Sequence, residues 1–256
     1  MTNKARLLTG LALGCVLSTP ALAEEYRGFY FGLWGGSGMT DMPSSAEIDD
    51  AFDTAWVQSI LDSIANDYNS DPETVGTLTL TDAGRSPSTL DDTTDVWGGT
   101  IGFRFNRWLG MEVGYVHLGE VKYDFNGVVN STFDPGAISE DFDYTMGYRF
   151  TSAGPTGALV GFVPLGRRFE LSGKAGIFLA DTRETIRLYD VEFAENFAHG
   201  RSDASQTELF AGIGATWSAT ERLAIRVEYQ KFFDVGDDSK TYEQDIDVIN
   251  VGVLFK

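Results

Sequence analysis

Phe103-Arg104-Phe105-Asn106-Arg107-Trp108-Leu109-Gly110-Met111-Glu112-Val113-Gly114-Tyr115 decides the fold. Phe103 and Phe105 alternate with Arg104. After Asn106-Arg107, Leu109, Met111, Val113 and Tyr115 alternate with Gly110, Glu112 and Gly114. A period of two puts every apolar side chain on one face of a strand. Two such runs around a short polar break read as a β-hairpin.

The same period recurs along the chain in segments of about ten residues. Phe29 to Trp34, Trp97 to Phe105, Leu109 to Tyr115, Phe142 to Phe150, Phe169 to Leu179, Leu209 to Trp217, Leu223 to Tyr229 and Ile249 to Phe255 make eight strands. Leu159 to Val163 reads as a continuation of the fourth after Gly154-Pro155, taken as a bulge or kink. Connections are short at Asn106-Arg107, Leu165 to Arg168 and Ala219 to Glu221. They are long and polar at 39–93, about 126–141, about 190–204 and about 236–242. Short turns at one end and long loops at the other describe a transmembrane barrel. The second face carries Gly, Glu, Lys, Arg and Thr, too polar for the outside of a small apolar core. The apolar face is therefore expected to meet lipid. The expectation is an all-β fold: an eight-stranded antiparallel up-and-down transmembrane β-barrel over 24–256, with a helical insertion in its first external loop. The soluble alternative is a lipocalin-like barrel or a sandwich.

Composition agrees. The 256 residues are 43% hydrophobic and 13% aromatic, with 29 Gly and 7 Pro, which suits a sheet protein. A net charge of −19 argues against nucleic acid, which needs Lys and Arg at its phosphates. One Cys and two His exclude a disulfide framework, a Cys-based zinc cluster and a His-rich metal site. Residues 1–23 read as a cleaved signal peptide: Lys4 and Arg6, an apolar Leu7–Leu17, and Ala21-Leu22-Ala23 as the cleavage site. Acylation at Cys15 is the rival reading, but Ala12 stands where a lipoprotein signal carries Leu.

The quoted hairpin resembles the F-x-F-N-x-x-L-G-x-E-x-G-Y hairpin of the OmpA-like transmembrane domain family. Pro164-Leu165-Gly166 with Arg168 to Gly176 resembles that family's next turn and strand. Phe210-Ala211-Gly212 with Arg226-Val227-Glu228-Tyr229-Gln230 resembles its penultimate hairpin. The series Ile249, Val251, Val253, Phe255 resembles its closing strand and assembly signal, although Lys256 follows the aromatic. The resemblance implies residence in a Gram-negative outer membrane among lipid and lipopolysaccharide, and insertion by the barrel-assembly machinery. No peptidoglycan-binding domain is expected after the barrel. A monomer is expected, since closure leaves no sheet edge in need of a partner.

Glu112, Lys174, Arg226 and Glu228 fall on the inward face, four to six residues above a short turn. At about 3.3 Å per residue they share one level of a barrel narrow enough for side chains to fill. Buried charges must pair. The quartet reads as an ion-pair network closing the lumen or as a gate whose pairs swap; the resemblance strengthens both readings. In the first loop Ile48, Phe52, Trp56, Ile60 and Ile64 recur every four residues, which predicts a helix over about 46–68. It is a surface helix on the strand ends, a lid, or a partner-binding element. Thirteen acidic residues against Arg85 in 39–95 make a solvated loop, or one bridged by divalent cations to lipopolysaccharide phosphates. His117 and His199 lie near no nucleophile motif, so no enzyme activity, metal or cofactor is expected. Two functions remain: a structural or surface-interaction protein, and a narrow gated channel or hydrophobic-solute conduit.

Phe255→Ala should lower the outer-membrane yield of the heat-modifiable barrel and raise periplasmic degradation, as read on gels with and without boiling. Normal yield would separate Phe255 from assembly.

Overall fold

The computed structural model describes residues 27–41, 54–72, 76–135, 138–190, 196–237 and 241–256. The signal segment 1–23, Ile48 and Phe52 lie outside them. The elements are β1 (Gly28–Thr40), α1 (Thr54–Ser70), β2 (Thr77–Arg85), β3 (Thr89–Asp91), β4 (Thr93–Arg104), β5 (Leu109–Asp134), β6 (Ile138–Pro164), β7 (Phe169–Asp190), β8 (Asn196–Ser218), β9 (Leu223–Asp237) and β10 (Thr241–Phe255).

Eight antiparallel strands, β1 and β4 to β10, close on themselves. β1 pairs with β4 on one side (Phe31↔Ile101) and with β10 on the other (Phe31↔Phe255). The ladders lead on from β4 through β5, β6, β7, β8 and β9 to β10, which completes the ring. Three tight turns sit at one end, each built on local side-chain capping or a glycine. Asn106 Oδ1 accepts from the Trp108 and Leu109 N–H groups at 2.8 and 3.0 Å. Gly166 takes φ +105°, a left-handed conformation that costs glycine little. Thr220 Oγ1 accepts from Arg222 and Leu223 N–H at 3.2 and 3.0 Å.

Alternation is strict on β9: Ala224, Arg226, Glu228, Gln230 and Phe232 are buried, while Ile225, Val227 and Tyr229 are exposed. Around the barrel the outward belt includes Leu33, Ile101, Val113, Leu159, Ile177, Ile213, Val227 and Val251. Leu33 and Ile213 are each 66% exposed, and so large an apolar ring would be insoluble in water. Aromatics edge the belt: Phe29, Phe31, Phe255 and Trp217 at the short-turn end, Trp97 and Tyr115 at the other.

β5 to β8 continue past the belt into a tall wall. One expectation is corrected here. Tyr144, Met146, Tyr148 and Phe150 do not face lipid; they are buried on the inner face of the wall. The β6–β7 register is the same on both sides of Gly154-Pro155, so that dipeptide is no bulge. The extra residue is on β5, where the register shifts between His117 and Glu120 and Gly119 takes φ +82°. The physical reason is solvent. Inside the bilayer the apolar face of β6 turns outward to hydrocarbon; above it the outside is water and the apolar face must turn inward.

The first external loop covers that inner face. α1 starts at Thr54 among the described residues and runs to Ser70, beyond the expected Tyr68 end. Its deepest line is Val57, Leu61 and Ala65; Ile60 and Ile64 of the expected stripe are half-buried beside it. Val57 and Leu61 join Tyr123, Phe125, Tyr144 and Met146 in one core. β2 adds to the upper half of β5 (Leu78↔Phe133), leaving its other edge open. Side-chain amides of α1 occupy that edge. Gln58 Nε2 donates to Leu80 O at 2.7 Å and its Oε1 accepts from Asp82 N–H at 3.0 Å. Asn69 repeats the pattern on Leu78 at 2.9 and 2.7 Å. Eleven residues are three helical turns, so both amides share a face. Beneath the helix Tyr144 donates to Asp82 at 3.4 Å, and burial followed by the Asp82 charge pushes its hydroxyl up to about 12.

At the far side of the wall, β8 above Phe210 pairs with β7 alone among the described residues. The edge argument for a monomer therefore applies to the barrel and not to the wall.

Leu61→Asp should release α1 by burying an unpaired carboxylate. Limited proteolysis should then cut within 54–70 while the unboiled barrel band is unchanged; equal protease resistance would place α1 outside the core.

Candidate functional site

The inward residues form layers. At the short-turn end Tyr30, Val160, Phe162, Ala224 and Leu254 make an apolar floor. Below it Arg104 lies over the Phe162 ring at 4.1 Å and pairs with Glu170 at 2.5 Å. Above the charged level, Phe210 stacks on Phe232 at 5.2 Å, and Phe178 meets Phe232 edge-on at 5.3 Å. This aromatic roof belongs to the same core that reaches α1.

Between floor and roof the structure brings Glu112, Lys174, Arg226 and Glu228 together. Arg226 Nη1 donates to Glu112 Oε1 at 2.6 Å and lies 3.5 Å from Glu228 Oε1. Lys174 Nζ is 2.9 Å from Glu228 Oε2 and 3.7 Å from Glu112 Oε2. All four side chains are 4–7% exposed. Each cation thus faces both carboxylates, and the charges balance two against two. Neutral groups complete the shell. Tyr30 Oη donates to Glu112 at 2.7 Å, Gln230 Nε2 to Glu228 at 3.0 Å, and Arg226 Nε to Thr216 Oγ1 at 3.3 Å.

Tyr30, Gln230 and Thr216 carry no charge, so a search for inward ionisable residues passes over them. Their parity was the available signal: Gln230 follows Glu228 by two residues on β9, and Tyr30 alternates with Phe29 and Phe31. Glycine makes the room. A Cβ on Gly102 would collide with the Tyr30 ring, and one on Gly214 would crowd the Glu228 stem.

The other expected residues sit elsewhere. Ile249, Val251, Val253 and Phe255 all face outward on β10, and the Phe255 ring stacks on Phe31 at 4.8 Å. Lys256 N–H donates to Arg222 O at 3.0 Å and its Nζ to Ser218 Oγ at 2.9 Å. Trp56 lies in α1. His117 faces outward, stacked on Trp97 at 5.5 Å, and its Nδ1 accepts from Gly119 N–H at 3.0 Å.

The family model described as the OmpA-like transmembrane domain matches residues 73–256. Outer membrane protein A of Klebsiella aerogenes is 25% identical over 162 residues, which are 60% of this chain and 37% of that protein. The matched part of the chain thus spans little more than a third of that relative. Among solved structures, Neisserial surface protein A aligns with 11% identity and a TM-score of 0.37, covering 91% of this chain and 98% of its own. Ail of Yersinia pestis, solved with the heparin analogue sucrose octasulfate, aligns with 10% identity and a TM-score of 0.35, covering 89% and 98%. The outer membrane protease OmpT of Escherichia coli aligns with 10% identity and a TM-score of 0.41, covering 89% and 96%.

Glu112→Ala should destabilise the folded barrel in urea by about 3–5 kcal/mol, because it leaves two buried cations with one carboxylate. Glu47→Ala in the first loop should cost far less. Replacing Glu112 and Arg226 together should cost less than the sum of the single changes; strict additivity would mean the two do not interact.

Proposed function

Because this chain belongs to the OmpA-like transmembrane domain family, we propose that it is an outer-membrane barrel with a structural or surface-interaction role, its lumen closed and its wall and loops displayed outside the cell. The single observation that carries the reading is the layering of the lumen: a balanced quartet of buried charges between an aromatic roof and an apolar floor. An ion entering the barrel would have to leave its hydration shell against Phe178, Phe210 and Phe232, and then displace a paired charge. The aromatic roof and the apolar floor interrupt the polar lining above and below the charged level. Export by the N-terminal signal, contact with lipopolysaccharide and insertion by the barrel-assembly machinery belong to the same proposal. So does the absence of a catalytic step, which the aromatic stacking and backbone bond of His117 support.

The alternative, a narrow gated channel or hydrophobic-solute conduit, has one observation in its favour. Lys174 and Arg226 each stand within 4 Å of both carboxylates, so partners can swap without either cation leaving the lumen.

Planar-bilayer recordings separate the two. The full-length barrel should give no resolved openings at moderate voltage, and Glu112→Ala should admit ions only if it also opens the roof. Steady unitary openings from the unaltered protein would overturn the closed-lumen reading.

A further inference from the structure

The chain has 38 acidic residues against 19 lysines and arginines, so most cations should find a carboxylate close by. Above the belt they do. Arg85, Lys122, Arg149, Arg183, Arg201 and Lys231 each lie within 3.2 Å of one, and Arg187 is the exception there among the described residues. The short-turn end is different. Arg27, Arg107, Arg167, Arg168 and Arg222 have no carboxylate partner among the described residues. With Arg104 and Lys256 this end carries seven cations. Its described acidic side chains are Glu170, already paired with Arg104, and Glu221.

Backbone bonds hold these arginines in place. Ser218 N–H donates to Arg168 O at 2.8 Å and Lys256 N–H to Arg222 O at 3.0 Å, so each turn is tied to the neighbouring strand end. Arg104 Nη2 donates to Arg107 O at 2.7 Å. Gly166, at φ +105°, sets the exposed Arg167 and Arg168 at the tip of their turn. A rim fixed in this way keeps like charges side by side at a cost in mutual repulsion, which a layer of anions would relieve.

Height decides which anions are within reach. Four of the five arginines stand within two residues of an exposed apolar side chain: Arg27 of Phe29, Arg107 of Trp108, Arg167 of Leu165 and Arg168 of Phe169. The Arg107 guanidinium lies over the Trp108 ring at 4.3 Å. The ring of charge therefore begins where the apolar belt ends, in the headgroup layer of the periplasmic leaflet. The anions of that layer are lipid phosphodiesters, and an acidic protein would have to displace them first. A zwitterionic headgroup carries its own ammonium, which competes with a guanidinium for the phosphate. A headgroup without an amine leaves the phosphate oxygens to the guanidinium.

We propose that the short-turn rim of the barrel is a binding ring for anionic glycerophospholipid of the periplasmic leaflet, with Arg107, Arg167, Arg168 and Arg222 meeting its phosphates. The ring rests on the membrane placement of the barrel and is independent of whether the lumen conducts.

The test uses the full-length barrel in phosphatidylcholine nanodiscs that contain a minor share of phosphatidylglycerol. Native mass spectrometry reads the lipids that leave the disc with the protein. Phosphatidylglycerol should be enriched among them by about fivefold or more over its share in the disc, and added salt should lower the enrichment. Arg107→Gln/Arg167→Gln/Arg168→Gln/Arg222→Gln should bring the ratio down to that of the disc while the heat-modifiable band persists. Arg183→Gln/Arg187→Gln/Arg201→Gln, at the opposite end, should leave the enrichment intact. If the quadruple variant does not assemble, Arg167→Gln/Arg168→Gln, confined to one exposed turn, should lower the enrichment about twofold. No enrichment by the unaltered protein, or undiminished enrichment in the rim variants, would overturn the proposal. So would soluble polyglutamate that binds the rim as tightly in discs with phosphatidylglycerol as in discs without it, since the rim would then be open to an acidic protein.

Discussion

Hydrocarbon offers no partner to a backbone N–H or C=O group, and this structure is organised around that fact. Pairing β1 to β10 as well as to β4 leaves no open edge within the belt. Closure with eight strands fixes a narrow bore, and a narrow bore must be filled by the inward side chains. Any charge in it is then cut off from water on all sides. The quartet of Glu112, Lys174, Arg226 and Glu228 is balanced because an odd charge could not be stabilised there. The inward glycines answer the same crowding: Gly102 lies under Tyr30 and Gly214 beside Glu228 because no larger residue fits.

Past the belt the solvent changes, and the same strands reverse their logic. β6 keeps one register from Tyr144 to Pro164 with its even-numbered residues inward throughout, yet its exposed large apolar residues, Leu159 and Val163, lie only below Pro155. An unbroken strand whose outward residues turn from polar to apolar has passed from water into lipid. β5 does the opposite. Its outward apolar residues from Leu109 to Tyr115 and its inward ones from Val121 to Val129 are odd-numbered alike, because the bulge between His117 and Glu120 turns that parity from outside to inside. One strand changes its sequence pattern at the membrane surface; its neighbour changes its geometry. The inner face so created is apolar and needs a cover, which α1 supplies together with the amides that occupy the β2 edge.

Charge is sorted by the same boundaries. Balanced ions occupy the lumen, and acidic residues dominate the first loop.

Alternation around Asn106-Arg107, repeated along the chain, was enough to determine the barrel, its strand number, which end carries the short turns and the inward placement of Glu112, Lys174, Arg226 and Glu228, though not the Arg104–Glu170 pair below them. Those properties depend on the period of the backbone, and a period is written locally. Helix α1 was legible as an apolar recurrence every four residues, but its buried line, Val57 to Ala65, lies one residue away from the recurrence at Ile60 and Ile64. Which flank of a wide stripe goes deepest depends on the surface it meets. The inward turn of Tyr144 to Phe150 was not legible as such, because alternation is the same whether the apolar face meets lipid or a protein core. The neutral shell of Tyr30, Thr216 and Gln230 also had to wait for the fold. It joins residues from strands far apart in sequence, and only the register between strands decides which of them stand side by side.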